Sequence, residues 1–223
     1  MLTVGETLRG EIERYAQALV RSNDLFLAAQ NGALTADDVR LYVRGLLFLI
    51  QGTMRVLHRA AERASDAGRG ALADHYLRKI REERGHDQWA ERDLDSLPGA
   101  ATASTQGEEQ PALRDLLRYL DQVVDRDPSL LLSYILVAEY LTVLVGPAWL
   151  GALESRCGIQ QRQVTVVANH VELDREHAIE GVREIDAMVG PDKRDAMLEV
   201  ARSSLRHFER FWSDVVAASS KAA

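Results

Sequence analysis

Apolar residues recur every three or four positions along most of this chain and almost nowhere alternate with polar ones, a pattern that predicts helices and no sheet. The first helical stretch covers 4–21, and a short one follows at 24–30, closed by Asn31-Gly32. Thr35 is the expected N-cap of the next helix, with Asp37 and Asp38 in its first turn. That helix runs to about residue 65, and its apolar face carries Val39, Val43, Leu46, Leu47, Ile50, Met54 and Leu57. A further helix is expected over 71–97. The segment 98–110, rich in Gly, Ala, Ser and Thr, reads as a loop. Helices at 111–125 and from Asp127-Pro128-Ser129 onward follow, the second kinked or interrupted at Gly146-Pro147. The last two cover 160–189 and 191–218, separated by Gly190-Pro191. The fold class is all-α, with about seven helices. No internal repeat or domain linker is visible, so residues 1–223 are read as one domain.

Composition narrows the partners. Hydrophobic residues make up 46% and charged residues 27%, which is globular rather than disordered. The net charge of −7 disfavours a general nucleic-acid or anionic-membrane binder. The apolar run from Leu130 to Trp149 is broken by Ser133, Glu139, Thr142, Gly146 and Pro147, and is expected to be too short and polar for a membrane span. The single cysteine, Cys157, forbids an intrachain disulfide and fits a reducing cytoplasm. It is read as a packing residue beside Gly158, with a nucleophile as the alternative. The N-terminus lacks a signal-peptide pattern, so a cytoplasmic location is expected.

Within these helices, polar groups recur at spacings that suit metal binding. Asn169 to His177 reads His-x3-Asp-x2-His, so His170, Asp174 and His177 share one helical stripe. Imidazole and carboxylate donors of this kind suit iron or manganese; a solvated polar face is the alternative. Glu82-Glu83-Arg84-Gly85-His86 places Glu83 three residues before His86, the Glu-x-x-His spacing of bundle diiron sites. On one helix both would reach a single ion, and Glu82 shares the face. Glu139 stands alone in an apolar helix, where an ionised carboxylate is costly unless it is paired with a cation, either an Arg or a metal. Glu83, His86, Glu139, His170, Asp174 and His177 together offer six N/O donors, enough for two ions.

These three elements, in this order, resemble the haem-oxygenase-like diiron oxidases and oxygenases, the iron-containing redox enzymes of the wider haem oxygenase / TenA / PqqC-like superfamily. The matching text is Glu82-Glu83-Arg84-Gly85-His86-Asp87-Gln88-Trp89 with Asp93-Leu94, then Glu139, then His170, Asp174 and His177. The resemblance implies a seven-helix bundle that binds two Fe(II) ions, the second weakly, and uses dioxygen as co-substrate on a small molecule. Implied reactions are N-oxygenation, desaturation, oxidative decarboxylation and carbon–carbon cleavage, on amino-acid, amine or fatty-acid-like substrates. A homodimer is compatible with it. It gives the ligand roles to the six residues above, with Glu82 in reserve for Glu83. Some members carry the first carboxylate seven residues before the His; here that position is Lys79, which in its charged state cannot ligate. Haem oxygenase itself is disfavoured, because Asn23 stands about where the superfamily often has a His. The pocket is expected between helices 36–65 and 128–150; Gln51, Arg55 and Tyr140 could touch it, but an ordinary packing or surface role is the preferred reading of each. Without metal, the helix around Asp174 is expected to loosen or unwind. The alternatives are a metal-free enzyme of the same superfamily, acting through Glu139 or Cys157, and a helical binding protein without catalysis. His58, His75 and His207 are read as surface or packing residues.

Overall fold

The computed structural model describes residues 2–98 and 111–219. The loop expected at 98–110 lies, apart from Pro98, outside the described residues. Those residues contain nine α-helices and no strand: α1 (Val4–Ser22), α2 (Asp24–Gln30), α3 (Ala36–Asp66), α4 (Gly70–Glu83), α5 (Asp87–Ser96), α6 (Pro111–Arg126), α7 (Leu131–Ala152), α8 (Thr165–Met188) and α9 (Arg194–Ser219). The starts follow the sequence signals. Thr35 accepts from the Asp38 backbone N–H, and Asp38 returns a bond to the Thr35 N–H. Asn23 caps α2 through the Leu25 N–H, and its amide donates to the Glu209 carbonyl. The position that a haem ligand would need is thus a buried helix cap.

Two boundaries depart from expectation, and the first raises the helix count. The helix expected over 71–97 is two, because Gly85 takes φ of +90°, a conformation that ends α4 and re-aims the chain into α5. Conversely, α7 is not interrupted at Gly146-Pro147. Pro147 cannot donate to the preceding turn, but it sits on the exposed side, and Gly146 holds the opposite side against α8. A Cβ at Gly146 would meet Val171 Cγ2 at 2.4 Å, so this crossing needs glycine. The helix instead loosens at its end into a π turn, Leu153–Cys157, stopped by Gly158. Cys157 points its thiol at the Ala29 carbonyl, a packing role.

The span Pro128–Cys157 is in fact long and apolar enough to cross a membrane by length and composition, contrary to expectation, but most of it is buried in the bundle. It is therefore the core helix, apolar all round because α1, α8 and α9 pack about it. Aromatic rings fill the layer beneath, with Tyr42 against Trp149 and Phe211, and Phe26 against Trp212.

Candidate metal centre

The break at Gly85 shapes the site. Glu83 is the last residue of α4 and His86 precedes α5, so the two meet across a turn rather than along one helix face. Their side chains still converge, with His86 Nδ1 2.9 Å from Glu83 Oε2. Trp89 stacks on the His86 ring at 4.1 Å between centroids and fixes its plane. From α8, His170 donates Nδ1–H to the Val166 carbonyl at 2.6 Å. That bond selects the tautomer and leaves Nε2 free to face Glu83, 3.9 Å away.

Glu139 from α7 lies beside the lower half of the α8 stripe. His177 Nδ1 is 3.5 Å from Asp174 Oδ1 and 3.9 Å from Glu139 Oε1. Among the described residues, Glu83, His86 and His170 form one group able to hold an ion, and Glu139, Asp174 and His177 a second; within each, the donor atoms lie within 4.8 Å of one another. The structure thus brings all six expected residues together and sorts them three and three. Glu83 rather than Glu82 joins the first triad; Glu82 lies beside the second, 3.9 Å from His177 Nε2. Two buried donor atoms of the second triad, Glu139 Oε2 and His177 Nδ1, have no hydrogen-bond partner. Buried polar atoms left unpaired within one donor set are what a cation would complete, so the residues present fit a metal.

The remaining expectations sort out simply. His58 is exposed, His207 bonds the Ser203 carbonyl, and His75 is buried beside Glu184. Arg55 pairs with Asp121 on the surface, Tyr140 donates to Glu13, and Gln51 is exposed and borders a separate pocket beside Glu83, so none of the three lines the apolar cavity between α3 and α7. The α8 helix is continuous through the triad. A cation also stands at this triad, the Lys79 ammonium 2.8 Å from Glu139 Oε1. The roles of two residues escaped the sequence reading. Lys79 appeared only as a missing ligand. Asp93, almost fully buried, accepts from Thr165 Oγ1 at 2.6 Å and the Val166 N–H at 2.7 Å, and so anchors the start of α8.

Electrostatics divide the two triads. Burial would raise the Glu83 carboxyl, but the His170 and His86 imidazoles outweigh it and hold Glu83 well below the usual range. For Glu139, burial dominates despite Lys79 and pushes its carboxyl up to about 7. The Asp174 carboxylate, ahead of burial, holds His177 above its ordinary value. Burial opposes the charged form of His170, yet Glu83 holds it, too, above its ordinary value. Lys79 is likewise opposed by burial and held charged by Glu139.

A pH prediction follows, with the sign set by these shifts. Raised values at Glu139, His170 and His177 mean that the metal-free protein keeps protons an incoming ion must expel; Glu83 is already ionised. Metal affinity is therefore expected to fall as pH drops through neutrality, by about tenfold per pH unit for each proton displaced. Calorimetric titrations in buffers of different ionisation enthalpy, at about pH 8 and about pH 6, count those protons. Equal affinity and no proton release would contradict the shifts.

A cavity of about 160 Å³ opens against the donors. Lys79, Glu83, Glu139, His170 and Asp174 form one end, and apolar side chains such as Leu46, Ile50, Leu141 and Val145 form the walls. Leu46, Ile50 and Met54, on the apolar face of α3, are only half-buried because they face this space. It lies between α3 and α7, as expected, with α2, α8 and α9 completing it. The Thr53 and Tyr134 hydroxyls, 2.7 Å apart, satisfy each other and leave the wall apolar.

No family model matches the chain, and no curated protein does. Solved structures do. A domain of unknown function with a haem oxygenase-like fold from Shewanella denitrificans superimposes with a TM-score of 0.84 at 18% identity, covering 96% of this chain and 92% of that one. A CADD-like protein of unknown function from Nostoc punctiforme gives 0.70 at 14% identity, covering 94% and 97%. A TenA homologue from Pseudomonas syringae gives 0.65 at 14%, covering 95% and 91%. The chain has the haem-oxygenase-like fold, as the sequence resemblance implied.

Proposed function

We propose that this protein is a dioxygen-dependent, non-haem diiron oxidase or oxygenase acting on a small, largely apolar molecule. The observation that carries the proposal is the sorting of six N/O donors into two triads, four of whose members, Glu83, Glu139, His170 and Asp174, line an apolar cavity. Glu83, His86 and His170 would hold one ferrous ion, and Glu139, Asp174 and His177 the other. Bound there, the two ions supply the electrons that reduce dioxygen. The chain's own residues do the rest. Trp89 and the Val166 carbonyl orient the imidazoles, and the Leu, Ile and Val walls exclude water from the reacting end. A cavity of this volume and lining suits a ring or short aliphatic chain, since comparable apolar cavities of about 150 Å³ take up benzene.

The test is anaerobic loading with ferrous iron, removal of unbound metal, and measurement of iron per chain. Oxygen uptake is then followed with a panel of small aliphatic and aromatic acids, amines and amino acids. Retained iron and uptake stimulated by one of these compounds are expected. Protein that keeps no iron, or turns over equally after chelation, would remove the diiron reading.

One observation favours a second reading. Glu139, buried against the cavity and raised to about 7, has the properties of a general acid–base group without any metal. Cys157, the other group considered for metal-free chemistry, does not line the cavity. Activity that survives chelation but is lost in Glu139→Gln would select this reading.

A further inference from the structure

The two triads differ in one respect that their ligand types do not reveal. Around Glu83, the ion-pair partners among the described residues are the imidazoles of His86 and His170. Around Glu139 there is an ammonium. Lys79 lies one helical turn before Glu83 on the same face of α4, so the helix that delivers a carboxylate to the first triad delivers a positive charge to the second. Its side chain is 7% exposed, and Nζ lies 2.8 Å from Glu139 Oε1 and 3.2 Å from Glu82 Oε2. Glu139 Oε2 and His177 Nδ1 remain without hydrogen-bond partners. Lys79 therefore satisfies half of the Glu139 carboxylate and leaves the rest of the donor set open.

We infer that Lys79 is a tethered cation that shares the donor set of the second triad, so that a metal ion engages Glu139 only by displacing it. The argument is electrostatic. Two buried carboxylates, Glu139 and Asp174, cannot stand together in a core without a counter-charge. A divalent ion can serve, and so can an ammonium already fixed in the fold. An ion arriving at Glu139 brings a second cation into a site where one is present, and the repulsion is strong at this depth. Among the described residues, no ammonium or guanidinium is paired with Glu83 in the first triad. Lys79 thus makes the pair of sites unequal, with tight binding at Glu83, His86 and His170 and weak, displaceable binding at Glu139, Asp174 and His177. It also ties α4 to α7 before any metal arrives.

This inference rests on the metal-centre proposal, and the experiment separates the two. Anaerobic titration with cobalt(II), and then ferrous iron, is followed by calorimetry and by metal content after desalting, in wild type, Lys79→Met and Lys79→Gln. Wild type is expected to show one tight and one weak step. Both variants are expected to keep the first step and tighten the second by at least about tenfold, with two ions retained. Thermal melts give the matching readout. Without metal the variants should melt below wild type, because Glu139 has lost its counter-ion, and metal should raise their melting temperature more than it raises wild type's. A lysine with a merely structural role would lower the metal-free melting temperature without tightening the second step. A second step unchanged or lost in the variants, or two equal tight steps in wild type, overturns this inference alone. Absence of the first step in all three proteins overturns the metal centre and this inference with it. Should Lys79→Met fail to fold, Lys79→Gln, which keeps a hydrogen bond to Glu139, carries the comparison.

Discussion

His170→Ala should strip the protein of its tightly held iron and abolish iron-dependent oxygen uptake while leaving its helical content unchanged. His170 is the only donor of the first triad that comes from α8, and its ring is pre-set by the Val166 carbonyl and flanked edge-on by the His86 and Trp89 rings. Removing it leaves Glu83 and His86 alone. Loss of a group that merely orients a ligand costs about 10–100-fold in metal affinity, so loss of a ligand itself should cost at least about a hundredfold. Glu83→Ala should act alike, since Glu83 is the one carboxylate of that triad. Two neighbours supply the controls. Glu82→Ala removes a partner of Lys79 but no donor of the first triad, so the first ion should stay. Glu176→Ala lies on the exposed face and should change little. Iron content after desalting, oxygen uptake and circular dichroism on the four variants decide it. If Glu82→Ala loses the first ion and Glu83→Ala keeps it, the carboxylates have been assigned in the wrong order.

The sequence made the helices and the donors legible for the same reason. Helix periodicity is local, so the stripe of His170, Asp174 and His177 could be read from spacing alone, and Glu139 stood out as a charge in an apolar run. The division of the donors into triads was not local. It depends on how α4, α7 and α8 cross, and on Gly85 taking a positive φ, which turned one expected helix into two and carried His86 around a corner from Glu83. The interruption expected at Gly146-Pro147 failed for a tertiary reason, because glycine there lets α7 approach Val171 of α8. Lys79 could be seen to lack ligating power, but only the fold shows what its ammonium touches. Gln51, Arg55 and Tyr140 sit in the right helices, yet Arg55 and Tyr140 turn to surface or inter-helix partners and Gln51 stays exposed at the surface, a choice that spacing does not encode.

Asp93→Ala is expected to destabilise the fold strongly while touching no metal donor. The Asp93 carboxylate, on α5, closes the first turn of α8 from outside, accepting from the Thr165 hydroxyl and the Val166 N–H. It therefore satisfies a helix N-terminus that no local cap serves, since Val164 provides no side-chain bond. Bonds to a charged acceptor contribute about 1.5–3 kcal/mol each, and alanine leaves the buried Val166 N–H and the part-buried Thr165 hydroxyl without this acceptor. Part of this is offset by removing a buried carboxylate, giving a net loss of about 2–4 kcal/mol, or on the order of 5–15 °C in melting temperature for a chain of this size. The same change should weaken metal binding without removing any donor, because Val166, whose N–H Asp93 holds, also offers the carbonyl that orients His170. Asp93→Asn, which keeps one acceptor oxygen, should fall between alanine and wild type in both readouts. Thermal melts and metal titrations on the two variants test the link. A large drop in stability with unchanged metal affinity would show that Asp93 holds the bundle together without positioning His170.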